Sequence, residues 1–108
     1  MPRPLGEFEH LLLLALLRVG HEAYGLEVRD DIERRTGRTP SPGAIYTALD
    51  RLERRGLVAS RLGDPTPQRG GKRKRYYRLL PPGTEAIRAS QDALRRMARG
   101  LTPKLDLP

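Results

Sequence analysis

The hydrophobic and polar positions of this chain follow helical spacing through its first half. They predict helices over about residues 7–19, 23–36 and 41–55, separated by glycines that favour helix ends. The first helix contains an uninterrupted apolar run, residues 11–17, so it needs cover on more than one side. A second molecule or the chain's own last helix is expected to supply that cover. The charged residues of the second helix, Asp31 among them, are expected to form a solvated surface.

The apolar run at residues 11–17 does not indicate a membrane or secretory segment. It is far shorter than the roughly 20 apolar residues that span a bilayer. Glu7, Glu9 and His10 precede it, where a signal peptide would carry a basic region. The chain has no cysteine, which excludes disulfides and thiolate zinc sites. With 108 residues, we expect one cytoplasmic domain that does not interact with membranes.

The third predicted helix combines end signals with two contrasting faces. Ser41 is a good N-cap, Pro42 suits the first helical position, and Gly56 is placed to end the helix. One face is expected to be core and consists of Ile45, Ala48, Leu49 and Leu52. The opposite face suits a helix inserted in a DNA groove. It carries Gly43, Tyr46, Thr47, Asp50, Arg51 and Arg54.

After the third helix the pattern predicts two strands joined by a basic loop. Residues 57–62 and 73–80 are the strands, and the segment between them is rich in glycine, proline and polar residues. Between positions 61 and 78 there are seven basic residues and one acidic residue, which is +6 of the net charge of +8. This concentration of charge favours a polyanionic partner. Since side chains alternate across a strand, either Tyr76 or Tyr77 is expected to be buried.

A last helix is predicted over about residues 84–99, after a turn at residues 81–83, and residues 102–108 are expected to be a frayed tail. Its apolar positions recur at alternating steps of three and four, as in a coiled-coil seam. Two heptads are too few to dimerise alone, and the helix could instead lie on its own domain. Together with the apolar run of the first helix, the apolar positions of the last helix favour a dimer core. Its predicted members are Leu11, Leu12, Leu14, Ala15, Ile87, Leu94, Met97 and Leu101.

The two predicted strands and the basic loop between them are called the wing below. Short motifs in the second helix, the third helix and the wing form a specific set. They are Tyr24-Gly25, then Ser41-x-Gly43-x-Ile45-Tyr46-x-x-Leu49-x-x-Leu52-Glu53-x-x-Gly56-Leu57, then Gly70-Gly71-Lys72-Arg73-Lys74-Arg75-Tyr76-Tyr77-Arg78-Leu79 and Pro82-Gly83. Together they resemble the PadR family of bacterial transcription regulators. The resemblance implies a mainly α (α+β) fold. Its expected parts are a winged helix-turn-helix over residues 6–82, a C-terminal dimerisation helix over 83–101 and a flexible tail over 102–108.

The resemblance also implies a homodimeric repressor that binds double-stranded DNA, with the third helix in the major groove and the wing on the backbone or minor groove. Gly25 indicates a close approach by the first helix or a phosphate. Asp50 and Arg54 are four apart, so an alternative is that they pair with each other. The expected DNA-contacting residues are Tyr24, Ser41, Pro42, Gly43, Tyr46, Thr47, Asp50, Arg51, Arg54, Arg69, Lys72, Arg73, Lys74 and Arg75.

Two departures from the family pattern concern the last helix and ligands. Leu80 stands where family members often have a capping threonine or serine, so Thr84 is expected to cap the helix instead. The chain lacks the tryptophan with which some members bind aromatic drugs, so an effector is not indicated and no cofactor or metal is expected. The alternative function is a winged-helix module that binds RNA or a protein partner. No catalytic motif is present, so we do not expect an enzyme.

Overall fold

The computed structural model describes residues 3–64 and 74–105 of the chain. The helix and strand order predicted from the sequence is confirmed, with two short additions described below. The strands form one antiparallel sheet in the order β1–β3–β2, and α1, α2 and α3 pack against one another and against the sheet. The elements are α1 (Glu7–Val19), β1 (Ala23–Tyr24), α2 (Gly25–Thr36), α3 (Pro42–Arg54), β2 (Val58–Leu62), β3 (Arg75–Leu79), α4 (Pro81–Ala98) and α5 (Thr102–Leu105).

Local signals set both ends of α3. The Ser41 hydroxyl accepts a hydrogen bond from the backbone N–H of Ala44 at 3.1 Å, as an N-cap does. At the other end Gly56 adopts φ 76°, and the N–H of Leu57 donates to the carbonyl of Leu52 at 3.0 Å. This is the Schellman arrangement, in which a left-handed glycine ends the helix. Both predicted boundaries are therefore confirmed.

The central helix α1 is covered by its own domain on more than one side. It packs against α2, α3, β3 and also α4, because the first half of α4 returns across it. Leu12 and Ala15 are consequently buried within the subunit, as is Ile87 of α4, which is only 5% exposed. Assigning these three residues to a dimer interface was wrong, since the monomer already buries them. Among the described residues, no helix is long and apolar enough to cross a membrane.

The remaining members of the predicted dimer seam have a different environment. Leu11 and Leu14 are partly buried against the core. On α4 and just beyond it, apolar side chains stay in contact with solvent: Leu94 is 61% exposed, Met97 78% and Leu101 39%. The exposed large apolar side chains of α4 therefore lie in its second half, and Leu17, Leu26, Leu62 and Leu105 are also exposed elsewhere in the described part of the chain.

Two element boundaries differ from the predictions. Residues 23–24, assigned to a helix, form strand β1, in which Ala23 pairs with Tyr77 and Tyr24 with Tyr76. A two-residue strand is too short to show alternation in sequence, so only its partner on β3 defines it. The predicted tail contains the single helical turn α5 at residues 102–105, and residues 106–108 lie outside the described part.

Helix α4 starts earlier than predicted. It begins at Pro81, with Leu80 as its N-cap, because prolines fit the first turn of a helix. Thr84 is therefore already inside the helix, and its N–H donates to the Leu80 carbonyl at 3.2 Å. The helix Pro81–Ala98 also runs through the expected boundary between residues 82 and 83. The predicted winged helix-turn-helix and the last helix are thus continuous.

Asp31 is buried, although its sequence context predicts a solvated surface. It is 5% exposed, and its carboxylate accepts hydrogen bonds from Arg18 of α1 and from Arg34 and Arg35 of its own helix. Burial alone would raise the pKa of Asp31, but the hydrogen bonds from the three arginines outweigh it and the pKa is lowered. This charge cluster links the C-terminal end of α1 to α2.

Gly83 lies in the first turn of α4 against the backbone of Leu57. A Cβ added at Gly83 would lie 2.4 Å from the Leu57 carbonyl oxygen. We expect Gly83→Ala to lower the free energy of unfolding by about 1–3 kcal/mol, because the overlap involves backbone that cannot rotate away. Urea denaturation followed by circular dichroism measures this change.

Gly43→Ala is the matched control, since Gly43 also lies in the first turn of a helix. A Cβ there meets nothing closer than the Ser41 hydroxyl at 4.0 Å. Alanine should be neutral or stabilising by up to about 1 kcal/mol at that position. Equal effects of the two substitutions would contradict the packing argument for Gly83.

Candidate nucleic-acid interface

The two faces of α3 separate as the sequence predicts. Its apolar residues Ile45, Ala48, Leu49 and Leu52 are buried in the domain core. The predicted contact residues at its start and on its polar face are exposed, and they are Ser41, Pro42, Gly43, Tyr46, Thr47, Asp50, Arg51 and Arg54. Among the described ion pairs, none joins Asp50 to Arg54, so the structure does not show the alternative pairing. The polar face of α3 is thus free to meet a partner.

Tyr46 contributes to packing as well as to the exposed face. It is 36% exposed, and its ring lies across the start of α2. A Cβ added at Gly25 would lie 2.7 Å from the Tyr46 ring. The close approach predicted at Gly25 is therefore made by α3, not by the first helix. Glycine at this position lets the two helices of the helix-turn-helix meet closely.

The wing hairpin is formed by β2 and β3 beside α3. Val58 pairs with Leu79 at its base and Leu62 with Arg75 near its tip. The N–H of Gly63 donates to the Lys74 carbonyl at 2.7 Å, which extends the hairpin by one step. Lys74 and Arg75 are exposed there. The other predicted wing contacts lie outside the described residues, and they are Arg69, Lys72 and Arg73.

An open groove separates the wing from the helix-turn-helix. Its volume is about 700 Å³, and it is lined by Tyr24, Leu26, Tyr46, Asp50, Leu62, Lys74, Arg75 and Tyr77. Five predicted contact residues from α3, the wing and β1 thus share one concave surface. Arg51 and Arg54 do not line it, and neither does the start of α3. The sequence did not predict that Leu26 and Leu62 line a binding surface, because an isolated apolar residue in a charged helix or strand resembles an ordinary core position.

The tyrosine pair on β3 divides as predicted. Tyr77 is 1% exposed and belongs to the core, while Tyr76 is half-buried on the other side of the sheet. Burial, together with the negative charge of Asp50, raises the pKa of the Tyr77 phenol to about 12. The Tyr77 phenol therefore remains protonated at neutral pH.

Glu53 fixes the wing to the end of α3. Its carboxylate accepts hydrogen bonds from the backbone N–H of Ser60 at 3.1 Å and from the Ser60 hydroxyl at 2.8 Å. Arg75 in turn donates to that hydroxyl at 3.1 Å. Sequence reasoning did not assign this role to Glu53, whose only signal is its place in the third-helix motif. The connection orients β2 and β3 relative to the polar face of α3.

Comparison with known proteins identifies the family to which this arrangement belongs. The model of the transcriptional regulator PadR-like family matches residues 13–89 of the chain. The chain belongs to the PadR-like family. It is 35% identical to Transcriptional regulator Rv3488 of Mycobacterium tuberculosis over 81 residues, which is 73% of this chain and 69% of that protein. PadR-like proteins are transcriptional regulators and not enzymes, which confirms the family and the non-enzymatic role predicted from the sequence.

Solved structures confirm the winged-helix fold of this PadR-like regulator. A PadR family transcription regulator from hypervirulent Clostridium difficile R20291 superposes with a TM-score of 0.74 at 24% identity, covering 93% of this chain and 99% of that one. F93 from STIV, a winged-helix DNA-binding protein, gives a TM-score of 0.70 at 14% identity, covering 91% and 98%. Within residues 3–64 and 74–105, no group of three acidic or histidine side chains is arranged to hold a metal ion.

Proposed function

We propose that this PadR-like regulator binds double-stranded DNA in a sequence-specific manner and represses transcription as a homodimer on an inverted-repeat operator. The observation that supports this most strongly is the exposed polar face of α3 beside a groove with Lys74 and Arg75 at its edge. A helix of this size fits the major groove of B-DNA, and cations beside it can contact the phosphates.

The proposed contacts fall into two groups. Cationic wing residues and the start of α3 face phosphates, which position the protein without reading sequence. This group comprises Arg69, Lys72, Arg73, Lys74, Arg75, Ser41, Pro42 and Gly43, with Tyr24 and Tyr46 beside them. Base edges are contacted by Thr47, Asp50, Arg51 and Arg54, whose side chains project from the exposed face. Arginine on a guanine edge is the commonest of such specific contacts.

The proposed dimer rests on the uncovered apolar residues of α4. Leu94 and Met97 lie on α4 and Leu101 lies just beyond its end, and leaving these exposed side chains in water is unfavourable. If a second copy covers them across a two-fold axis, the partly buried Leu11 and Leu14 of α1 extend the interface in this proposal. The two α3 helices then read half-sites about 34 Å apart.

The proposed function is tested against RNA binding by comparing two probes of equal length. One is a duplex from the region upstream of the protein's own gene, and the other is a structured RNA. Fluorescence anisotropy in the same salt should give tighter binding to the duplex, and footprinting should show an inverted repeat. Reporter expression should rise when the protein is removed. Equal or tighter binding to the RNA would refute the DNA proposal and favour the RNA-binding alternative.

Phosphate neutralisation by the wing predicts a change in salt dependence. Lys74→Ala/Arg75→Ala should weaken binding to operator and to unrelated duplex alike. The slope of log K against log salt should become shallower by about 0.9 for each phosphate that the wing no longer neutralises. Arg88→Ala/Arg95→Ala on α4 removes the same charge away from the groove and should leave the slope nearly unchanged. An unaltered slope in the wing variant would show that its cations are merely solvated.

A further inference from the structure

A row of side chains crosses the sheet on the face opposite the core. Tyr24 of β1, Tyr76 of β3 and Arg61 of β2 occupy the same register. The rings of Tyr24 and Tyr76 meet edge to face, with centroids 6.2 Å apart and planes at 80°. The Arg61 guanidinium lies 5.1 Å from the centroid of the Tyr76 ring, within cation–π range.

Charged groups complete both ends of this row. Arg61 extends over the middle strand to Glu22, which precedes β1, and donates from Nε at 2.8 Å and from Nη2 at 2.7 Å. The hydrogen bond from Arg61 lowers the pKa of Glu22, so its carboxylate is ionised at neutral pH. At the other end, Lys74 Nζ lies 4.4 Å from the centroid of the Tyr24 ring. A chain of contacts therefore runs from Glu22 through Arg61 and the two tyrosines to Lys74 at the edge of the groove.

The Glu22–Arg61 pair connects the two outer strands of the sheet directly. In the order β1–β3–β2 these strands share no backbone hydrogen bonds. Strand β1 is two residues long and leads straight into α2. The Glu22–Arg61 contact between the start of β1 and β2 therefore also orients the wing relative to the helix-turn-helix. A two-point arginine–carboxylate contact fixes orientation better than a single hydrogen bond does.

We propose that Glu22 is a positioning residue for DNA binding: through Arg61 it holds the wing at the angle that places Lys74 and Arg75 beside α3. This inference rests on the proposed function and goes beyond it, because Glu22 is an acidic residue outside the expected DNA contacts. Its carboxylate repels a polyanion, yet its removal is expected to weaken binding.

The opposing sign of these two effects makes Glu22→Gln a sharp test. The substitution raises the net charge from +8 to +9, which by itself strengthens association with DNA. Loss of the Glu22–Arg61 pair should instead weaken binding of the full-length protein to the upstream duplex by about threefold, within the range of exposed ion pairs. Glu85→Gln is the control, because Glu85 also forms an ion pair, with Arg88 on the exposed surface of α4. It should bind at least as tightly as the wild type.

Two further measurements separate positioning from a general charge effect. Arg61→Lys retains the charge but not the two-point contact, and adding Glu22→Gln to it should cause no further loss, as expected for coupled residues. In NMR spectra, the Tyr24 ring current should shift the Lys74 ε-protons upfield, and Glu22→Gln should reduce that shift.

The proposal is overturned if Glu22→Gln binds the duplex as tightly as Glu85→Gln, because Glu22 then merely repels DNA or withholds Arg61 from it. A wild type without preference for the duplex would refute the proposed function separately. In that case the NMR shift decides whether Glu22 orients the wing. An unchanged Lys74 signal in Glu22→Gln refutes that role, and a reduced shift supports it.

Discussion

Leu49→Ala is expected to lower the free energy of unfolding by about 2–5 kcal/mol, the usual cost of truncating a fully buried leucine. Leu49 has 0% exposed surface and lies in the middle of the buried face of α3. The cavity would open between α3 and the rest of the core, so the whole domain should be destabilised. For a domain of this size the loss is a large part of its total stability. Urea denaturation monitored by circular dichroism gives the change directly.

Thr47→Ala is the control on the same helix, two residues away and on the exposed face. Its effect on stability should stay within about 0.5 kcal/mol, as for other surface substitutions. Its binding to the upstream duplex should nevertheless weaken, because Thr47 is a proposed base contact. Comparable destabilisation by the two substitutions would mean that the buried and exposed faces of α3 are assigned incorrectly.

Leu94→Lys should convert a dimer to a monomer and reduce operator affinity by about 100-fold, because two linked half-sites bind far more tightly than one. Leu94 is 61% exposed in the single chain, so a lysine there does not disturb the subunit's own core. In the proposed dimer it would bury an unpaired charge in an apolar seam. Sedimentation at micromolar concentration should show a 12.2 kDa species, with weak and salt-sensitive DNA binding retained.

Ala89→Lys introduces the same charge on an exposed position of α4 outside the apolar seam. This variant should sediment and bind as the wild type does. A wild-type protein that sediments as a monomer and binds a single half-site with full affinity would overturn the dimer proposal. Dissociation of the Ala89→Lys variant as well would place the interface elsewhere on α4.

The sequence by itself determined the features that depend on neighbouring residues. The limits of α3 follow from the Ser41 cap and the left-handed Gly56, both of which act within one turn of the chain. Its two faces follow from helical periodicity, and the alternation of Tyr76 and Tyr77 follows from the pleat of a strand. The charge of the wing needs no structure to be recognised. These local patterns predict the elements and their order, while the family and its winged-helix fold were expected from the resemblance of the motifs to PadR regulators.

Only the tertiary structure decided which polar and apolar residues meet across elements. Asp31 is buried because Arg18, thirteen residues earlier, reaches it from another helix. Gly25 is explained by Tyr46, and Glu22 meets Arg61 across the middle strand of the sheet, through contacts that no sequence spacing encodes.

The extent of the internal core was also set by packing between distant segments. Leu12 and Ile87 have the composition and spacing of interface residues, yet α4 folds back over α1 and buries both. Apolar periodicity shows that a face needs cover, but the identity of the cover depends on how the chain returns in space. The polar face of α3 needs no cover, so the sequence was sufficient to predict it. The predicted dimer core was partly misassigned because the return of α4 over α1 was not visible in the sequence.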